Sequence, residues 1–299
     1  MARKSAIRRS TGETVFMVFN SLFMIFFCFI TIYPFINTLA VSFNDGSDAL
    51  RGGIYFLPRQ LTTLNYATVF KDNEILRAYG VTISRTIIGV VTTLTVTGLL
   101  AYGLSKKQLV GRKVYVFICL VAMIFSAGLI PTYMLYKDVK LLNSFLVYIL
   151  PHAVSIFNMI LMKNFFEQLP MEIEESAMID GAGTFRILLS VVLPVSMPIV
   201  ATICIFTGVF QWNEWFDAYM FVPRRMEIHP VQTYLYKVIA LSMSATQDAA
   251  EAQLLERLKT NVITIRAATV IITTIPIVFI YSLFQKHFVK GVMVGAVKG

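Results

Sequence analysis

The sequence predicts an all-α polytopic membrane protein with six transmembrane helices, and three observations carry that expectation. Of its 299 residues, 57% are hydrophobic and only 14% charged, with a mean hydropathy of +0.70. That balance leaves too few polar side chains to cover a soluble globule. Apolar stretches near 15–41, 80–104, 114–135, 141–162, 195–222 and 262–284 each match the ~20 residues a helix needs to cross a bilayer. Between the fourth and fifth lies a polar connection, 164–194, far longer than adjacent helices require. Together these segments make one transmembrane domain, residues 1–299.

The first span follows Arg3, Lys4, Arg8 and Arg9. A secretory signal has the same charge order, but its apolar region is shorter and ends in a small-residue cleavage site. An uncleaved first helix is therefore expected. Positive flanks stay on the cytoplasmic side. The basic start, the turn 105–113 with Lys106, Lys107, Arg112 and Lys113, and the tail with Lys286, Lys290 and Lys298 then place both termini in the cytoplasm. Arg224 and Arg225, after the fifth span, run against that pattern. The net charge of +9 is accounted for by topology, and no basic run interleaved with aromatics points to nucleic acid.

Cys28, Cys119 and Cys204 all fall inside apolar spans, where a thiol packs as a small hydrophobe. His152, His229 and His287 show no ligand spacing, so no metal site is expected. Proline recurs in the spans at Pro34, Pro131, Pro151, Pro198 and Pro276. These read equally as tolerated kinks or as hinges of a bundle that opens and closes.

The connection 164–194 is the informative stretch. Pro170 opens a helix-forming run with acids in its first turn, 171–179, where the helix dipole favours them. Ile173, Ala177 and Met178 share a face. Gly181 and Gly183 follow, permitting left-handed backbone and ending the helix. A second short helix, 184–192, carries Phe185, Leu188 and Leu189 along one side and ends at Leu193-Pro194. The expected arrangement is a helix-turn-helix on the inner face of the membrane.

Glu175-Ser176-Ala177-Met178-Ile179-Asp180-Gly181-Ala182, followed by Val191-Val192-Leu193-Pro194, resembles the EAA loop of ABC importer permeases, with Ser176 where the family usually has alanine. The tail Phe288-Val289-Lys290-Gly291, ending Val297-Lys298-Gly299, is similar to that of maltose-type carbohydrate (CUT1) permeases. Gly128-Leu129-Ile130-Pro131, Asn65-Tyr66 and Asn213-Glu214-Trp215-Phe216 look most like the LplC/YtcP-like branch of that group, associated with complex oligosaccharides.

The resemblance implies a type I ABC importer permease fold whose loop forms a coupling helix docking on a nucleotide-binding subunit. It assigns ATPase coupling to Glu174, Glu175, Ser176, Ala177, Asp180, Gly181, Ala182, Leu193 and Pro194. It also implies a second homologous permease, two ATPase subunits, an extracytoplasmic sugar-binding protein, and a bacterial inner-membrane location. The chain has no phosphate-binding Gly-x-x-x-x-Gly-Lys-[Ser/Thr] loop. It is expected to be no enzyme and to bind no cofactor, with ATP and Mg on the partner ATPase. An importer for a non-sugar solute is the alternative; an ATP-independent secondary transporter would show paired broken helices and no such loop.

For a substrate path, Gln211, Trp212, Asn213, Glu214 and Trp215 bring both tryptophans together with amides and a carboxylate near the outer end of the fifth span. Aromatic faces stack on sugar rings while amides and carboxylates bond hydroxyls. The same cluster also reads as an interfacial aromatic belt. His152, Ser155 and Asn158 are expected to join the path at helical spacing on the fourth span. Arg85 and Arg266 are expected to snorkel to the outer boundary.

Overall fold

A computed structural model describes residues 11–71, 73–244 and 261–296, with side chains described to 240 and from 261 to 280. The basic start, residues 245–260, and the side chains of the tail lie outside the described residues. In chain order the helices are α1 (Thr11–Ser42), α2 (Gly46–Ala49), α3 (Leu64–Lys71), α4 (Asn73–Ser105), α5 (Arg112–Ile124), α6 (Leu129–Asp138), α7 (Ile156–Phe166) and α8 (Met171–Ile179). They continue with α9 (Thr184–Ile187), α10 (Leu193–Val195), α11 (Met197–Asn213), α12 (Phe216–Phe221), α13 (Val231–Ser244) and α14 (Val262–Ala296). The described residues contain no strand beyond one isolated bridge, Asn44 to Leu61.

The chain divides into two compact units. One comprises the described residues of Met1–Lys71 and Ile239–Ile272, the other those of Asp72–Val238 and Thr273–Gly299.

In the first unit α1 leaves almost every apolar side chain exposed, from Val15 to Leu39, as suits a helix whose solvent is hydrocarbon. Its C-terminal end is secured by amides. Asn65 is fully buried, donating to the carbonyls of Ser42 and Asn44 (both 2.9 Å) and accepting from Thr264 Oγ1 (2.8 Å). Asn44 Oδ1 accepts from the backbone of Arg59 and Gln60, and its amide donates to Asp48. The Asn65-Tyr66 pair is thus a cap on the end of a span, with Tyr66 hydrogen-bonded to Ser42 at 2.7 Å.

The second unit departs from the expected spans in an instructive way. Among the described residues of the whole chain three helices are long and apolar enough to cross a membrane: α1, α4 and Val262–Ile280 of α14. The other spans are broken. The expected span 114–135 is α5 and α6, which meet at 112° about Gly128, whose φ of +84° suits only glycine. The expected span 141–162 is a 3₁₀ turn (Phe145–Tyr148), a non-helical passage, and α7. Pro151 supplies no N–H there, and hydroxyls of α4 take over: Thr93 donates to His152 O (3.0 Å) and Thr97 to Ala153 O (3.1 Å). The expected span 195–222 is α11 and α12, interrupted at Glu214–Trp215. Glu214 Oε1 accepts the N–H of Phe216 (2.8 Å) and so starts α12.

The core of this unit is built on α4, against α7 and α11. Ala101, Tyr102, Leu104, Met159, Met162, Phe166, Ile199 and Ile203 are buried together with Ile187, Leu188 and Val192. A second cluster joins Val147, Tyr148 and Ile149 to Ala218, Phe221 and Val222. In the loop after α12, His229 Nε2 donates to Val222 O at 2.8 Å, and burial holds its imidazole below the usual histidine range despite that bond.

Candidate functional site

One face of α4 carries Thr82, Arg85, Gly89, Thr93 and Thr97, three or four residues apart and buried. Arg85 is the largest fully buried side chain described, correcting the expectation that it snorkels. Its Nε donates to Gln211 Oε1 (2.7 Å), one terminal nitrogen to the carbonyl of Glu214 (2.9 Å) and the other to Asp217 Oδ2 (2.9 Å). The guanidinium also lies 4.6 Å from the ring centre of Tyr148. A charge this deep persists because a carboxylate and directed acceptors surround it.

Asp217 in turn meets His152 Nε2 at 2.9 Å. A carboxylate only accepts, so the proton of that bond sits on Nε2. Gln211 completes the network by donating to Tyr148 O at 3.1 Å. The close approach of its side chain is permitted by Gly89. A Cβ built at Gly89 would stand 2.7 to 2.9 Å from three atoms of Gln211. Gly89→Ala is therefore expected to displace Gln211 from Arg85 and cost about 1–3 kcal/mol. Thermal unfolding of the purified protein, falling by several degrees relative to wild type, checks it.

His152 opens onto a cavity of about 750 Å³ lined by Thr93, His152, Ser155, Asn158, Thr207 and the rings of Phe157, Phe206 and Phe210, among others. His152 stands edge-on to Phe210 at 4.9 Å. Ser155 caps α7 by accepting the N–H of Asn158, whose side chain faces Thr207 Oγ1 at 3.4 Å. The expected path residues His152, Ser155 and Asn158 thus meet at one cavity. They do so across a helix start, since α7 begins only at Ile156, and not along one continuous helix.

The other expected path residues lie elsewhere. Gln211 is fully buried behind the cavity. Trp212 donates to Thr273 O (3.3 Å) and lines a separate apolar cavity of about 380 Å³ with Val90, Gly208 and Ile277. Asn213 is exposed and bonds its own helix at Val209 O. Glu214 serves as a helix cap. Trp215 stacks on Tyr236, 4.2 Å between centres and 14° from parallel. Gln211, Trp212 and Asn213 are the last three residues of α11, where successive side chains point ~100° apart, and Glu214 and Trp215 lie in the break before α12. The stripe Thr82–Arg85–Gly89–Thr93–Thr97 at helical spacing was the signal that would have found Arg85.

The connection 164–194 forms a second candidate surface. α8 is a helix from Met171 to Ile179, and Gly181 follows at φ +79°. The N–H of Ala182 reaches back to Ala177 O (2.9 Å) and that of Gly181 to Met178 O (3.0 Å), closing the helix end. Gly183 takes ordinary helix-entry backbone, φ −70°, so only one of the two glycines is left-handed. The expected second helix 184–192 is α9 continued by a π turn, Leu188–Val192. Pro194 explains the widening: its ring would crowd the carbonyl of Ser190, and it has no N–H to offer. The helical stretch Thr184–Val195 then meets α11 at 85°.

Within this loop, Ala177 and Ala182 pack on the chain's own core, as does Leu193. Both alanines are half-buried there. Glu174 also turns inward, to Lys106 and to the hydroxyl of Tyr102 (3.2 Å). Glu175, Ser176, Asp180, Gly181 and Pro194 are exposed. Beside them are Met171, Met178, Ile179 (87% exposed), Phe185 (62%) and Leu189, an apolar surface on an otherwise polar connection. Among the described residues no group of three or more His, Cys, Asp or Glu could hold a metal ion.

Comparison with known proteins agrees with this architecture. Residues 94–294 match the family model described as "Binding-protein-dependent transport system inner membrane component". The "Polygalacturonan/rhamnogalacturonan transport system permease protein YtcP" of Bacillus subtilis (strain 168) is 34% identical over 93% of this chain and 96% of its own length. "Protein LplC" of the same organism is 35% identical over the whole of both chains. Among solved structures, that of a bacterial ABC transporter involved in the import of the acidic polysaccharide alginate has a chain 32% identical to this one. It superimposes with a TM-score of 0.87, covering 95% of this chain and 100% of that one.

Proposed function

Since the chain belongs to the family of binding-protein-dependent transport system inner membrane components, we propose that it forms one half of the channel of an ATP-driven oligosaccharide importer. It is a membrane permease component and not a catalytic subunit. The observation that carries the sugar assignment is the larger cavity, where aromatic rings stand beside His152, Ser155, Asn158 and Thr93. Rings of this kind stack on the apolar faces of a pyranose, and the amide, hydroxyl and imidazole groups bond its hydroxyls. Relatives named for polygalacturonan, arabinooligosaccharide and galactooligosaccharide transport support the same class.

In this reading a second homologous permease completes the channel and two ATPase subunits bind ATP and Mg. An extracytoplasmic binding protein delivers the sugar, and both termini of this chain are cytoplasmic. The exposed apolar side chains of α8 and α9 seat on the ATPase. Closure of the ATPase dimer moves these helices as rigid bodies and turns the cavity outward.

Uptake by proteoliposomes carrying the complete transporter tests the cavity. Asn158→Ala is expected to raise the KM for an oligogalacturonate about tenfold, the equivalent of one lost hydrogen bond of ~1.4 kcal/mol. An unchanged KM in a variant that purifies normally would move the sugar site away from this cavity.

A further inference from the structure

A docking helix is useful only if its displacement reaches the cavity, and the structure offers two routes. The covalent route from α8 runs through Gly181, Gly183, the π turn Leu188–Val192 and the 85° bend before α11. Each of these is a place where a helix yields, and rigid-body motion is lost there. The other route passes through side chains. Glu174 is the one α8 residue with an ion pair among the described residues, and its partner is Lys106, directly after the last residue of α4. The Lys106 ammonium lies 4.0 Å from the ring centre of Tyr102, and the Tyr102 hydroxyl donates to the same Glu174 oxygen. Both charged groups are shielded, 33% and 16% exposed, which makes the pair worth more than a surface contact.

A second tie lies beside it. Glu167, at the end of α7, pairs with Arg112 and Lys163, while Arg112 Nε donates to Leu104 O at 2.8 Å. α4 itself contains no proline. About twenty residues, roughly 30 Å of helix, separate Lys106 from Arg85, whose carboxylate partner Asp217 holds His152 at the cavity wall.

We propose that Lys106 and Glu174 form the joint through which the docking helix moves α4, and that α4 carries the motion to His152. The proposal rests on the permease reading above and names positioning residues within it. Glu174 therefore acts on this chain and not on the ATPase surface.

The test uses the complete transporter in proteoliposomes, with an oligogalacturonate as probe, and reads uptake per ATP hydrolysed. In Lys106→Glu the ATPase subunit is expected to copurify as in wild type and hydrolysis to continue, while uptake per ATP falls about tenfold. The exchanged pair Lys106→Glu with Glu174→Lys is expected to recover at least half of it. Unchanged uptake per ATP in the single variant, or no recovery in the exchanged pair, would overturn the joint. Loss of ATPase copurification in Lys106→Glu would overturn it too, by making Lys106 part of the docking surface. A wild-type chain that copurifies with no ATPase would sink the functional reading itself, and the joint with it.

Discussion

Arg85→Ala is expected to lower the yield of folded, monodisperse protein at least tenfold and the unfolding temperature of what remains by about 10 °C. The side chain is fully buried and is the charged partner of Asp217, itself 8% exposed. Truncation leaves that carboxylate with His152 alone and strips donors from Gln211 Oε1 and the Glu214 carbonyl. Breaking a buried pair from one side costs about 3–5 kcal/mol, because the abandoned charge stays desolvated. Removing both charges is cheaper, so Arg85→Met combined with Asp217→Leu is expected to recover part of the loss. Size-exclusion recovery and thermal unfolding in detergent measure both. An Arg85→Ala protein that behaves as wild type would show that the network does not hold the broken fourth and fifth spans together.

The second large effect is functional. Gly181→Pro is expected to reduce sugar-stimulated ATP hydrolysis more than tenfold while the chain remains folded. Gly181 adopts φ +79°, and proline is confined near −65°. The substitution also removes the N–H that donates to Met178 O. The end of α8 then unwinds, and the 5-residue return from Ala182 N to Ala177 O that orients Met178 and Ile179 is lost. Gly181→Asn, which tolerates the left-handed region, is expected to retain most of the stimulation. Equal activity in wild type and Gly181→Pro would mean that this helix pair is not what docks.

The long helices were legible in the sequence because their cause is local. α1, α4 and the start of α14 follow from apolar runs. The end of α8 follows from one glycine, and the exposed loop from a charge pattern that no bilayer would accept. Breaks in the other spans were not legible, since their causes lie far away in the chain. Non-helical backbone near Pro151 is affordable only because Thr93 and Thr97, more than fifty residues earlier, donate to its carbonyls. Arg85 misled for the same reason: its partner Asp217 is 132 positions away. Read alone, an arginine near the end of a span looks like a snorkel. The tryptophan cluster disperses for a local reason: Gln211, Trp212 and Asn213 share the last turn of α11 and so face different sides of it, while Glu214 and Trp215 lie in the break that follows.

The central claim is that this chain is the membrane partner through which an ATPase drives sugar import. ATP hydrolysis in proteoliposomes containing the second permease, the ATPase and the binding protein, with and without this chain, tests it most directly. Stimulation by binding protein loaded with an oligogalacturonate is expected only when the chain is present. Equal stimulation in its absence would contradict the account.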